Sequence, residues 1–130
     1  MPGRKSPTFT EVELEFMQII WDLGKVSTED VQNTLSERGR ELSDGAIRKI
    51  LSILMEKGHL TREKKGRSFL YSAKVPKEQA HHNMVRDLLT RAFSGSVTRM
   101  AAALLNSSEV SDDDIDEIKR LIAEREREWT

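Results

Sequence analysis

Lys64-Lys65-Gly66-Arg67 sets three cations around one glycine, and the run behind it, Ser68-Phe69-Leu70-Tyr71, alternates and is rich in aromatics. Cations gathered on a tight turn make a compact positive tip, suited to capturing a polyanion rather than to catalysis. A second basic pair, Arg48 and Lys49, lies upstream among the small residues Ser43, Gly45, Ala46 and Ser52. Between Arg40 and Val75 nine Lys/Arg face four Asp/Glu, a net +5, although the whole chain carries −1. Such local asymmetry fits one polyanion-binding face better than a uniformly basic protein.

Other groups offer less. His81-His82 are adjacent, so on a helix they point in different directions, and neither has an i+4 partner for a metal. His59 stands alone. Asp112, Asp113, Asp114, Asp116 and Glu117 lack the glycine and the spaced oxygens of a cation loop, and a helix start explains them better. The absence of cysteine removes disulfides, thiolate nucleophiles, zinc ribbons and thiol switches. No nucleophile motif, phosphate loop or paired carboxylates are present, so the expectation is a non-enzyme with no cofactor and no metal.

The elements that must position these cations can be read from caps and periodicity. Thr10-Glu11-Val12-Glu13 is a capping box, and Leu14, Met17, Ile20 and Trp21, with Phe16 and Leu23 beside them, predict a first helix closed by Gly24. Ser27-Thr28-Glu29-Asp30 opens a shorter second helix with Val31 and Leu35 on one face. Ser43 caps a third, over about 43–57, whose apolar stripe is Ala46, Ile47, Ile50, Leu51, Leu54 and Met55. Its outer face, with Asp44, Gly45, Arg48, Lys49 and Ser52, is basic and small enough to lie in a major groove. Two strand-like runs then flank Gly66 and predict a hairpin over about 60–74, with Phe69 and Tyr71 on one face and Leu70 on the other. Trp21, Phe69 and Tyr71 read as core residues rather than stacking platforms.

Beyond Pro76 only helical signals remain. Met84, Val85, Leu88, Leu89 and Ala92 recur at helical spacing until Ser94-Gly95-Ser96. A short helix over Val97–Leu105 carries Met100, Ala101, Leu104 and Leu105, and Ser111 with three aspartates starts a last one bearing Ile115, Ile118, Leu121 and Ile122. This tail is short of what makes an independent core, below roughly 70–80 residues. Two copies that bury Met84, Leu88, Leu89, Met100, Leu104, Ile115, Ile118, Leu121 and Ile122 against each other are therefore expected, in preference to helices folded back on their own first domain. The predicted fold class is mainly α with a small β-hairpin wing: a winged helix-turn-helix domain over 1–75 and a helical dimerisation domain over 76–130. No apolar run approaches the ~18–20 residues of a membrane span, and the start, MPGRKSPTFTE, has no apolar core behind its cations. A cytoplasmic protein with no membrane partner is expected.

The stretches FTEVELEFMQIIWDLGKVSTEDVQNTL, ILSILMEKGHLTREKKGRSFLYSAKV, AFSGSVTRM and VSDDDIDEIKRLI, taken in order, resemble the BlaI/MecI family of penicillinase repressors over nearly the whole chain. The resemblance implies a homodimeric transcriptional repressor on a palindromic double-stranded DNA operator. The third helix would enter the major groove, with Ser43, Gly45, Ala46, Arg48, Lys49 and Ser52 at the DNA, and the wing would lie on the backbone through Arg62, Lys64, Lys65 and Arg67. It also implies release by a protease that cuts the helical tail. The family usually has threonines where this chain has Gly45, Ala46 and Lys49, so hydroxyl contacts there are replaced. Its Asn-Phe cleavage pair has no counterpart near Ala103-Leu104, and the cysteine cluster of its copper-responsive branch is absent. A different class of function, a winged-helix protein-interaction module without sequence-specific DNA binding, is favoured by Gly45 and Ala46 and opposed by the +5 segment.

Overall fold

The computed structural model describes residues 9–129. Helix α1 (Glu11–Leu23) starts at the expected capping box: the Thr10 hydroxyl accepts the Glu13 N–H at 3.1 Å and the Glu13 carboxylate accepts the Thr10 N–H at 2.9 Å. It stops at Gly24, whose φ of 91° turns the chain as few L-residues would, while its N–H donates to the Ile20 carbonyl. Ser27 and Asp30 form a second capping box for α2 (Thr28–Glu37), and Ser43 caps α3 (Asp44–Glu56). The apolar stripes close on one another: Phe16, Ile20, Val31, Leu35, Ile47, Leu51 and Leu54 are fully buried. Burial of such side chains, at ~1.5–3 kcal/mol each, is the main source of the unit's stability. Leu23, grouped with the helix-one stripe in the sequence, is instead 54% exposed at the last turn, and Ile19 is buried in its place.

The wing is part of a three-stranded antiparallel sheet. Strands β2 (Leu60–Lys65) and β3 (Ser68–Ala73) form the expected hairpin, and β1 (Lys25–Val26) pairs with the other edge of β3, so the order is β1-β3-β2. This third strand was not expected. Two residues carry no periodicity, and only the free edge of β3 reveals the pairing of Val26 with Tyr71. Lys65 opposes Ser68, which leaves Gly66-Arg67 as a two-residue loop; Gly66 has φ 63° and no positive φ occurs at Arg67, the pattern of a type II′ turn. Tyr71 is buried, Phe69 and Trp21 pack against the core, and the Trp21 Nε1–H donates to the Val75 carbonyl at 3.1 Å.

A buried ion pair ties the start of α1 to the end of α3. Glu13 is 6% exposed, and both of its oxygens accept from Lys57 Nζ, at 3.0 and 2.9 Å. Burial alone would push the Glu13 carboxyl up, but hydrogen bonds from Lys57 and the Thr10 amide, with the lysine charge, outweigh it and hold the carboxyl below its ordinary value. Glu13→Gln is expected to cost about 2–3 kcal/mol of unfolding free energy, since it leaves Lys57 half-buried without its counter-charge. The sign of the pH dependence follows from the lowered pKa. The unfolded chain binds the proton more readily, so the contribution is complete above the unfolded value of ~4.3 and disappears as pH falls through the folded one. Thermal melts from pH 6 down to about 3 should therefore show a gap between wild type and Glu13→Gln that narrows in acid.

Helices α4 (Lys77–Phe93), α5 (Val97–Leu105) and α6 (Asp112–Glu128) complete the chain. Pro76 precedes α4 and its carbonyl accepts the Ala80 N–H. The expected break is present: Ser94 and Gly95 both have positive φ, and Ser96 caps α5. Ser111 and Asp114 form a third capping box at α6. Two compact units divide at Asp87/Leu88, within α4 rather than before it, because Ala80 is buried and His81 meets Trp21 edge-on at 5.8 Å. No described residue of the second unit is buried. Among the described residues no helix is long and apolar enough to cross a membrane, and no group of three or more acidic or histidine side chains could hold a metal ion.

Candidate nucleic-acid interface

The outer face of α3 is built as its spacing requires. Gly45, Arg48, Lys49 and Ser52 are exposed along one side, while Ile47, Leu51 and Leu54 anchor the other in the core. Ser43 is also exposed, but its hydroxyl accepts the Ala46 N–H at 3.1 Å, so its first task is to cap; Ala46 itself is half-buried. Arg48 Nε donates to Asp44 at 2.6 Å one turn back, an exposed i,i+4 pair that raises the guanidinium pKa still further and keeps the charge on the helix surface.

The wing divides its cations between two faces. Residues directly opposed across antiparallel strands share a face, so Arg62 and Lys64 stand with Tyr71 and Phe69, and Lys65 stands with Ser68 on the other side. Arg62 lies over the Phe69 ring, its guanidinium carbon 3.9 Å from the centroid, which spends part of that side chain on the fold. Lys64, Lys65 and Arg67 are exposed at the tip. Between Arg62 and Lys64 on β2, Glu63 pairs with Lys25 of β1 at 2.8 Å, and that lysine holds the Glu63 carboxyl below its ordinary value. Both partners are largely exposed, so the pair adds little stability.

The start of α2, the start of α3 and the wing enclose a polar cleft of about 540 Å³. Arg48 and Arg67, separated by a helix and a strand in sequence, both line it. So do Thr28, Gln32 and Asn33 of α2, which sequence reasoning did not single out. Their only signal was an exposed polar face on a short helix, a feature shared by most surface helices. The Gln32 side chain also bonds the Leu42 carbonyl at 3.2 Å and so braces the connection into α3.

A helix with a basic outer face, joined through a cleft to a basic-tipped wing, is a winged helix-turn-helix. The profile of the Penicillinase repressor family matches residues 9–124. The chain belongs to that family. It is accordingly a transcriptional repressor and not an enzyme. Among curated relatives it is 27% identical to the Penicillinase repressor of Bacillus licheniformis over 93% of this chain and 94% of the relative. It is 33% identical to an uncharacterized 16.5 kDa protein in the ptsI 3′ region of Latilactobacillus sakei, over 87% and 77% of the two chains. The solution structure of the DNA binding domain of the repressor BlaI superposes with a TM-score of 0.51 at 32% identity, covering 57% of this chain and 89% of that one. As a member of the penicillinase repressors, the chain thus shares the fold of that DNA binding domain over a little more than half of its length.

Proposed function

We propose that two copies of this chain bind an inverted-repeat operator in the cytoplasm and block transcription from it. The observation that carries this reading is the common cleft of Arg48 and Arg67, because a duplex seated along it meets α3 and the wing together. Lys49, Ser52, Gly45 and the edge of Ala46 present a low, basic surface to the major groove, with Arg48 beside them. Lys64, Lys65 and Arg67, with Arg62 behind, neutralise phosphates.

The second copy is supported by the apolar surface beyond α4's midpoint. Leu88, Leu104, Leu121 and Ile122 are 48–56% exposed, and Met84, Leu89, Met100, Ile115 and Ile118 lie half-buried alongside them in sequence. So many large aliphatics left at a surface favour a second copy of the chain as their cover. Dimerisation would set two half-sites about one helical turn, ~34–36 Å, or a multiple of it, apart. A protease that releases the repressor would meet Ala103-Leu104 exposed but helical in the last turns of α5, and would have to unwind them first.

Selection of genomic fragments with the purified protein, followed by salt-titrated binding, tests the proposal. It should recover one inverted repeat bound far more tightly than random DNA, with log affinity falling by ~0.9 per neutralised phosphate against log salt. Recovery of no preferred site would overturn it. A finer prediction concerns Asp44, an acid on the recognition surface that lines the cleft together with Glu29. Asp44→Asn frees Arg48 and removes a charge that phosphate oxygens would meet, so operator affinity should rise about three- to tenfold at low salt, at a cost of about 0.5 kcal/mol in the first turn of α3. Fluorescence anisotropy with labelled duplex measures the first effect and a denaturant melt the second.

A further inference from the structure

A second cavity, of about 500 Å³, lies within the first unit, formed by α1, the end of β3 and the first turns of α4. None of the residues assigned above to DNA lines it. Its size falls within the roughly 300–1,000 Å³ of small-molecule sites. Its walls are rings. Phe9 meets Trp21 edge-on with centroids 6.3 Å apart and tilts over His59 at 4.4 Å. The indole is held in advance by its hydrogen bond to the Val75 carbonyl, so little ordering would remain to be done on binding.

The charge of the lining is one-sided. No Asp or Glu contributes to it, whereas Lys57 and Lys74 both do, and Gln79 and Asn83 add amide groups. The charge of Lys57 is answered by Glu13. Lys74 is exposed and forms no ion pair among the described residues. We propose that this cavity binds a small organic anion with a flat aromatic body and one carboxylate. The body would pack on Phe9 and Trp21, the carboxylate would meet Lys74, and Gln79 or Asn83 would donate a further hydrogen bond. This goes beyond repression: it assigns the chain a ligand site on a face separate from the DNA surface, at the root of α4.

The test titrates the full-length protein with 1-naphthoate and, separately, with neutral 1-naphthamide. Trp129, 76% exposed at the end of α6, is replaced in a Trp129→Phe background so that Trp21 is the sole tryptophan. Saturable movement of the Trp21 Nε1–H resonance and of the Gly58 and Ala80 amides is expected, with naphthoate at least about tenfold tighter than the amide. Lys74→Met, a surface change, should remove that preference and leave naphthamide binding unaltered. Ala80→Leu should fill the cavity and abolish binding of both; should it fail to fold, the Lys74→Met comparison stands alone. Unmoved Trp21 resonances at saturating naphthoate, or a preference for naphthoate that survives in Lys74→Met, would overturn the assignment.

Discussion

Replacing Lys65 and Arg67 together by alanine is expected to weaken binding to every duplex, cognate or random, by about 30–100-fold near physiological salt, corresponding to roughly 2–3 kcal/mol for two charge-assisted phosphate contacts. The salt slope should fall by about two in the same experiment, since each lost contact releases about one counterion fewer. Both side chains are exposed at the wing tip and neither forms an ion pair among the described residues, so the melting temperature should stay where it was. That separation matters. Arg62→Ala would remove the guanidinium from the Phe69 ring and mix a loss of fold with a loss of contact. Discrimination between operator and random DNA should survive the double change, because phosphate contacts position the protein and base contacts specify the sequence. Salt-titrated anisotropy decides the matter, and an unaltered slope would remove the wing from the DNA.

The second large effect is expected from Leu121→Asp combined with Ile122→Asp. In the single chain these side chains are 55% and 56% exposed, so the monomer should lose little stability. In a dimer that buries them, two large aliphatics give way to two carboxylates. At ~1.5–3 kcal/mol for each lost burial, with further cost for the charge, the dimer dissociation constant should rise by about a thousandfold or more. Sedimentation at micromolar protein should then show monomer, and affinity for a full inverted repeat should fall to that for a half-site. A variant that still sediments as a wild-type dimer would place the interface elsewhere.

Much of this protein is local, and the local part was legible. Thr10, Ser27, Ser43 and Ser111 each cap the helix that follows, because a capping oxygen and the amide it satisfies lie within one turn. The stripes Val31/Leu35 and Ile47/Leu51/Leu54 follow from helical spacing alone, as does the exposure of Arg48, Lys49 and Ser52 opposite the last of them. The turn at Gly66 was equally plain, since few other residues take a positive φ at the first position of a two-residue loop.

What could not be read are the relations between elements distant in the chain. Glu13 looked like half of a capping box, and it is that, but it is also the buried partner of Lys57. Strand β1 has no signature, because two residues become a strand only when a neighbouring edge offers them hydrogen bonds. Periodicity and capping act within about one turn, so the helices, the hairpin and the sign of the charge at its tip follow from local stretches of residues. That Arg48 and Arg67 share a cleft with α2, and that Phe9, Trp21 and Lys74 surround a second cavity, emerges once the elements pack together. Those placements depend on how α1, α2 and α3 pack around one core, which is a property of side-chain shape across the whole unit and not of any single stretch.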